Sequence, residues 1–193
     1  MSGAVTQAIA TGFYGKVPAR GDFVRFGLPR DFVDAWDGWL SGVMSTGKDR
    51  AGAAWLPAFL EAPVWRFGLP PGLCGTSAVL GLTMPSVDRA GRYFPLTFAV
   101  VHDGPGLPVG APVDAWLDRC EDAGRAALEQ DLDPDRIMAM LLAPDLGAAR
   151  PDSGQSEWWT EGSPRLAPVR KTWSGLPDAD DYLEMMGLAS LAD

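Results

Sequence analysis

The sequence predicts an α/β fold, one sheet flanked by helices, in a single domain spanning residues 1–193. Three observations predict it. Apolar residues recur at helical spacing in segments before, between and after the β-like runs. Three β-like runs follow one another between residues 63 and 102, joined by short turns that suggest neighbouring antiparallel strands. A chain of 193 residues with 47 % apolar content, eight Trp and eight Phe carries the material for a core; a chain of this size buries roughly 70 % of its unfolded surface.

In chain order, Ala8–Tyr14 reads as a first strand, followed by the Gly- and charge-rich segment Gly15–Gly27. The stretch Arg30–Val43 reads as a helix. Phe32, Trp36, Leu40 and Val43 fall on one stripe with Trp39 beside it, and Asp31 and Asp34 sit in the first turn, where the helix dipole favours negative charge. Gly47 is expected to end or follow this helix, with a second helix from about Asp49 to Glu61. Pro63–Leu69, Thr76–Met84 and Tyr93–His102 then read as strands. Pro70-Pro71-Gly72 separates the first two, and a charged turn through Asp88–Gly91 separates the last two. The third run is apolar on both faces, which fits a central strand covered on both sides. Asp103–Pro112 reads as a loop joining two halves, Val113–Glu129 as a helix, and Asp133-Pro134 as the cap and first residue of a short helix through Leu142. Residues 144–156 read as a loop, Glu157–Thr160 and Pro168–Trp173 as a pair of edge strands, and Asp178–Leu188 as a closing helix with an acidic start.

Composition narrows the function. The net charge of −9 is unevenly spread: residues 1–103 carry nine Lys/Arg against eight Asp/Glu, whereas residues 104–193 carry seven against seventeen. Such a chain lacks the concentrated basic face that a phosphate-backbone binder needs, so no nucleic-acid partner is expected. The acidic second half is either a solvated face or a docking surface for a basic partner. Cys74 and Cys120 lie in apolar stretches and read as reduced, buried thiols rather than a disulfide or metal pair. The first thirty residues show no secretory leader pattern, and no apolar run reaches the ~18–20 residues of a membrane span, so a cytoplasmic location without membrane insertion is expected.

No catalytic constellation is visible. The single histidine, His102, ends an apolar strand, and no second His supports a zinc motif. No G-x-S-x-G elbow, phosphate-binding P-loop or dinucleotide glycine pattern occurs. Asp131, Asp133 and Asp135 imitate the start of a calcium loop, but Arg136 replaces its glycine and Leu142 its closing glutamate. No catalytic residue, cofactor or metal is therefore expected.

Two segments stand out instead. Gly12-Phe13-Tyr14-Gly15-Lys16-Val17-Pro18-Ala19-Arg20-Gly21-Asp22-Phe23-Val24-Arg25 and Met84-Pro85-Ser86-Val87-Asp88-Arg89-Ala90-Gly91-Arg92-Tyr93-Phe94-Pro95-Leu96 crowd glycines, aromatics and charges together. Glycines permit tight turns, and arginine forks pair bidentately with carboxylates. Lys16, Arg20, Asp22, Arg25, Asp88, Arg89 and Arg92 are the candidate interaction residues. They either interlock as a structural network or form a recognition surface for an acidic or phosphorylated group.

These segments, with Gly27-Leu28-Pro29, Trp36, Trp39 and the block Ala62-Pro63-Val64-Trp65-Arg66-Phe67, resemble the motif blocks of the TagF family of type VI secretion-associated proteins. Trp158-Trp159 and Gly175-Leu176-Pro177 agree more loosely. The resemblance implies a three-layer α/β/α sandwich with a largely antiparallel or mixed central sheet. It also implies a post-translational negative regulator of type VI secretion, linked to the forkhead-associated scaffold protein and to the kinase–phosphatase branch. Some relatives carry a fused metal-dependent phosphatase domain, for which this sequence has no room. The leading expectation is a non-enzymatic binding module that sequesters a secretion component. The alternatives are a metal-dependent hydrolase using loop carboxylates such as Asp22 and Asp88, and a structural subunit of the secretion apparatus.

Overall fold

The structure, a computed structural model, describes residues 7–104, 106–142 and 144–188. The apolar stripe that begins at Phe32 builds a helix longer than its periodicity suggests: α1 runs Arg30–Ala51. Gly47 does not end it. This glycine is buried in the helix, and an added Cβ would lie 2.7 Å from the Trp55 ring, so its lack of a side chain makes room for the next element. The expected second helix is accordingly split. Its first residues belong to α1, a 3₁₀ turn covers Gly52–Ala54, and α2 is only Trp55–Leu60.

Seven strands form one sheet in the order β2-β1-β5-β4-β3-β8-β9, with every pairing antiparallel. They are β1 (Ala8–Gly15), β2 (Val24–Phe26), β3 (Trp65–Leu69), β4 (Ala78–Met84), β5 (Leu96–His102), β8 (Ser156–Thr160) and β9 (Val169–Trp173). As its two-sided apolar pattern predicts, β5 is interior and buried along its whole length. Side chains alternate across it. Ala99 and Val101 join a core with Phe32, Trp36 and Leu40 of α1, Phe59 of α2 and Leu183 of α5 (Ala179–Met185). Leu96, Phe98 and Val100 face Trp116, Leu117 and Cys120 of α3 (Ala111–Gln130) and Ile137 of α4 (Pro134–Met140). Helices thus cover both faces of an antiparallel sheet, the α/β sandwich expected from the motif resemblance.

Tryptophan N–H groups tie the first helical layer together. Trp36 donates to Thr97 Oγ1 in β5 (2.9 Å), Trp39 to the carbonyl of Pro177 (2.7 Å) and Trp65 to the carbonyl of Met185 (2.9 Å). Asp178 opens α5 through a capping box: its carboxylate accepts from the Asp180 and Asp181 amides at 2.9 Å, and Asp181 reaches back to the Asp178 amide.

Two expectations about the second half are corrected. The segment 144–156 is not purely a loop, because β7 (Ala149–Pro151) pairs with β6 (Gly106–Pro108) as a separate ribbon. Arg150 anchors that ribbon by donating to the buried Glu157 carboxylate at 2.5 Å, with Arg170 at 3.4 Å on its other flank. Nor is β8 an edge strand. It lies between β3 and β9, since Trp158 is fully buried against Trp36 and Phe67. The two halves divided at residue 103 interleave in this way, the second supplying two strands to the sheet of the first.

His102 closes β5 in a buried position, its Nδ1 without a hydrogen-bond partner among the described residues. Burial lowers its pKa from 6.5 to about 4, outweighing the attraction of neighbouring Asp103. Because the folded value lies below the unfolded one, its contribution to stability is complete above about pH 6.5 and is lost as the pH falls toward about 4, by on the order of 3 kcal/mol. His102→Gln is therefore expected to flatten the pH dependence of the unfolding midpoint across that window in urea titrations. An unchanged slope there would refute the assignment.

Candidate interaction site

The sheet register decides where the two unusual segments meet. β1 and β5 pair with Gly15 opposite Leu96, and β4 and β5 pair with Met84 opposite Leu96. The loop leaving β1 and the loop between β4 and β5 therefore emerge at the same end of the sheet. Gly12 lets β2 fold back closely onto β1, since an added Cβ would lie 1.8 Å from the Phe26 carbonyl oxygen. This places residues 16–23 against residues 86–93.

Asp88 is the centre of the junction, its side chain fully buried. Its Oδ1 accepts from the amides of Ala90 and Arg92, both at 2.9 Å. Its Oδ2 accepts from Lys16 Nζ at 2.9 Å and Arg92 Nε at 2.7 Å. Burial alone would raise this carboxyl, but hydrogen bonds from Arg92, Lys16 and Ala90 outweigh it and hold the pKa well below the usual carboxylate range. Lys16 is itself buried, and its carbonyl accepts from Ser86 Oγ at 2.6 Å. The Arg89 amide donates to the Arg20 carbonyl at 2.9 Å, while the Arg89 and Arg92 guanidinium groups donate to the carbonyls of Ala19 and Gly21. One loop is thus clamped to the other through its backbone.

On this clamp sits Phe23, 46 % exposed yet held on several sides. Its ring stacks on Tyr14 (centroids 5.7 Å apart, planes 7° apart) and meets the Phe94 edge at 4.8 Å, with Lys16 Nζ 5.0 Å from its centroid. Tyr14 is fixed in turn by donating its hydroxyl to Asp37 of α1 at 2.5 Å; burial and that bond both push its pKa up.

The structure brings six of the seven sequence-predicted residues into this junction, in unequal roles. Lys16, Asp88, Arg89 and Arg92 hold the two loops together. Arg20 reaches Asp133 at 3.2 Å, and the fully exposed Asp22 lies 3.9 Å from Arg92. Arg25 stands apart and exposed on β2, opposite Tyr14, with no ion pair among the described residues. Sequence reasoning missed Phe23 and Tyr14 as the aromatic pair. Their signal was the density of aromatics in the first motif, but only the β1–β2 register stacks them. Asp22 and Asp88 both reach Arg92, at 3.9 Å and 2.7 Å, but Asp22 is fully exposed while Asp88 is buried and already accepts four hydrogen bonds. Among the described residues no group of three or more His, Cys, Asp or Glu could hold a metal ion. The arrangement is suited to presenting a fixed aromatic among arginines.

Comparison with known proteins follows the same residues. The family model for the TagF N-terminal domain, type VI secretion system-associated, matches residues 12–143, a span that contains the whole junction. The crystal structure of PA0076 from Pseudomonas aeruginosa PAO1 at 2.05 Å resolution superposes with a TM-score of 0.81 at 35 % identity, covering 95 % of this chain and 96 % of that one. No curated protein matches the chain. With the family model covering more than half of its length, the chain belongs to the TagF family of type VI secretion-associated proteins.

Proposed function

We propose that this protein is a non-enzymatic cytoplasmic accessory that restrains type VI secretion after translation by binding a secretion component, namely the forkhead-associated-domain scaffold. Family membership supplies the secretion system. One observation supports binding as the mode of action: the buried Lys16–Asp88 pair locks two loops into a platform that presents Phe23 and several arginines. A side chain ordered before the partner arrives loses little conformational entropy on binding, which favours its use as an anchor. No helix of the described residues is long and apolar enough to cross a membrane, which is compatible with action on a soluble scaffold.

The test is affinity capture from native lysate with the wild type and a Phe23→Ala variant, beside secretion assays in a deletion strain. The wild type is expected to enrich the scaffold, the variant to lose at least about tenfold of that enrichment, and deletion to raise secretion. Unchanged secretion on deletion, with no secretion component captured by the wild type, would overturn the proposal. Arg92→Ala is a poor probe here, because Arg92 also holds Asp88 and the Gly21 carbonyl.

A further inference from the structure

We infer that the partner element seated on Phe23 is an acidic protein segment carrying an apolar side chain; this rests on the reading of the junction as a binding platform. The argument is one of charge and shape. The two loops and β2 contribute Lys16, Arg20, Arg25, Arg89 and Arg92 against Asp22 and Asp88, in a chain whose net charge is −9. Lys16 and Asp88 neutralise each other below the surface. Four guanidinium groups then remain on the two loops and β2, against Asp22, Asp37, which takes the Tyr14 hydroxyl, and Asp133, which takes Arg20. The patch stays positive with all three carboxylates counted, Asp34 near Tyr14 being paired with Arg30, and the Arg25 guanidinium has no ion pair among the described residues.

The rest of the molecule is strongly acidic, so an acidic segment is repelled elsewhere and guided to this patch. The same acidity disfavours a long polyanion such as nucleic acid, which would have to run beyond the small basic area. Phe23, between Arg20 and Arg25 in the chain, leaves 46 % of its surface to solvent, so an apolar side chain flanked by carboxylates covers the ring and engages the neighbouring arginines together. Arginine forks bind carboxylates bidentately, which gives the contact direction as well as charge.

The probe is a fluorescein-labelled peptide of alternating Glu and Asp with a central Leu, titrated into the full chain by fluorescence anisotropy. Saturable binding is expected, weakened about tenfold when the central Leu becomes Ser and about tenfold between roughly 50 mM and 500 mM salt. Arg20→Gln combined with Arg25→Gln is expected to weaken it at least about tenfold while leaving the melting temperature unchanged, since neither side chain holds the junction together. No saturable binding, equal binding of the charge-reversed peptide, indifference to salt and to the double variant, or equal binding to phosphatidylglycerol vesicles would each overturn the inference. If the captured secretion component survives both high salt and the double variant, the binding role stands and the acidic-segment inference fails. If the wild type captures nothing while the peptide titrates as expected, the inference stands and the secretion partner is wrong.

Discussion

Asp88→Asn is expected to lower the melting temperature by on the order of 10 °C, a large effect for one loop residue. The side chain hardly changes shape, but the negative charge disappears and one acceptor becomes a donor. Lys16 would be left with a buried ammonium group whose counter-charge is gone, and removing one partner of a buried pair is much more costly than removing both. Adding Lys16→Met to Asp88→Asn should therefore recover a substantial part of the loss, a coupling that a double-mutant thermal-denaturation cycle reads directly. Additive losses would show that the charge is not the cause. The pH dependence gives a second check. The folded pKa of Asp88 is depressed, so its contribution is present above the ordinary carboxylate pKa, about 4, and is lost as the pH falls further. Asp88→Asn should flatten the acid limb below about pH 4, where His102→Gln has little effect. Hydrogen exchange of residues 16–23 should accelerate in the same variant, because their carbonyls are held by Arg89 and Arg92 on the Asp88 turn.

Trp36→Ala is expected to cost about 3–5 kcal/mol, the usual range for deleting a fully buried large aromatic. Trp36 lies at the crossing of α1 and the sheet, in ring contact with Phe32, Trp39, Phe67 and Trp158. Its loss opens a cavity between elements that are far apart in sequence. Thr97 does not add to the cost as an orphan, since its hydroxyl still reaches Thr83 at 3.1 Å. Trp39→Ala should cost less, because that ring is only partly buried and lies at the rim of the cluster. Urea unfolding of both variants beside the wild type checks the order, and a smaller loss at Trp36 than at Trp39 would contradict this account of the core.

Several elements follow from local sequence alone. The stripe Phe32, Trp36, Leu40 and Val43 marks α1 because helical periodicity requires no partner to be recognised. The two-sided apolar run of β5 marks an interior strand, and Asp178 starts α5 because a cap and its amides are neighbours in the chain. The motif blocks carried the family. Elements that depend on a distant partner were misread. Gly47 looks like a helix end until Trp55 is seen to fill the space above it. The ribbon of β6 and β7 and the interior place of β8 exist only through pairing across dozens of residues. The candidate site divides in the same way. The residue types were legible: charged, Gly-rich loops with arginines and aromatics. Their roles were not, because burial comes from register. Only the sheet shows that Asp88 and Lys16 are buried and mutually neutralised while Arg25 and Phe23 face outward. By itself the sequence determined which groups could take part, since periodicity, capping and composition are local. The tertiary structure decided which of them are buried and which are offered to a partner, since desolvation and ion pairing depend on what a distant strand places beside each one.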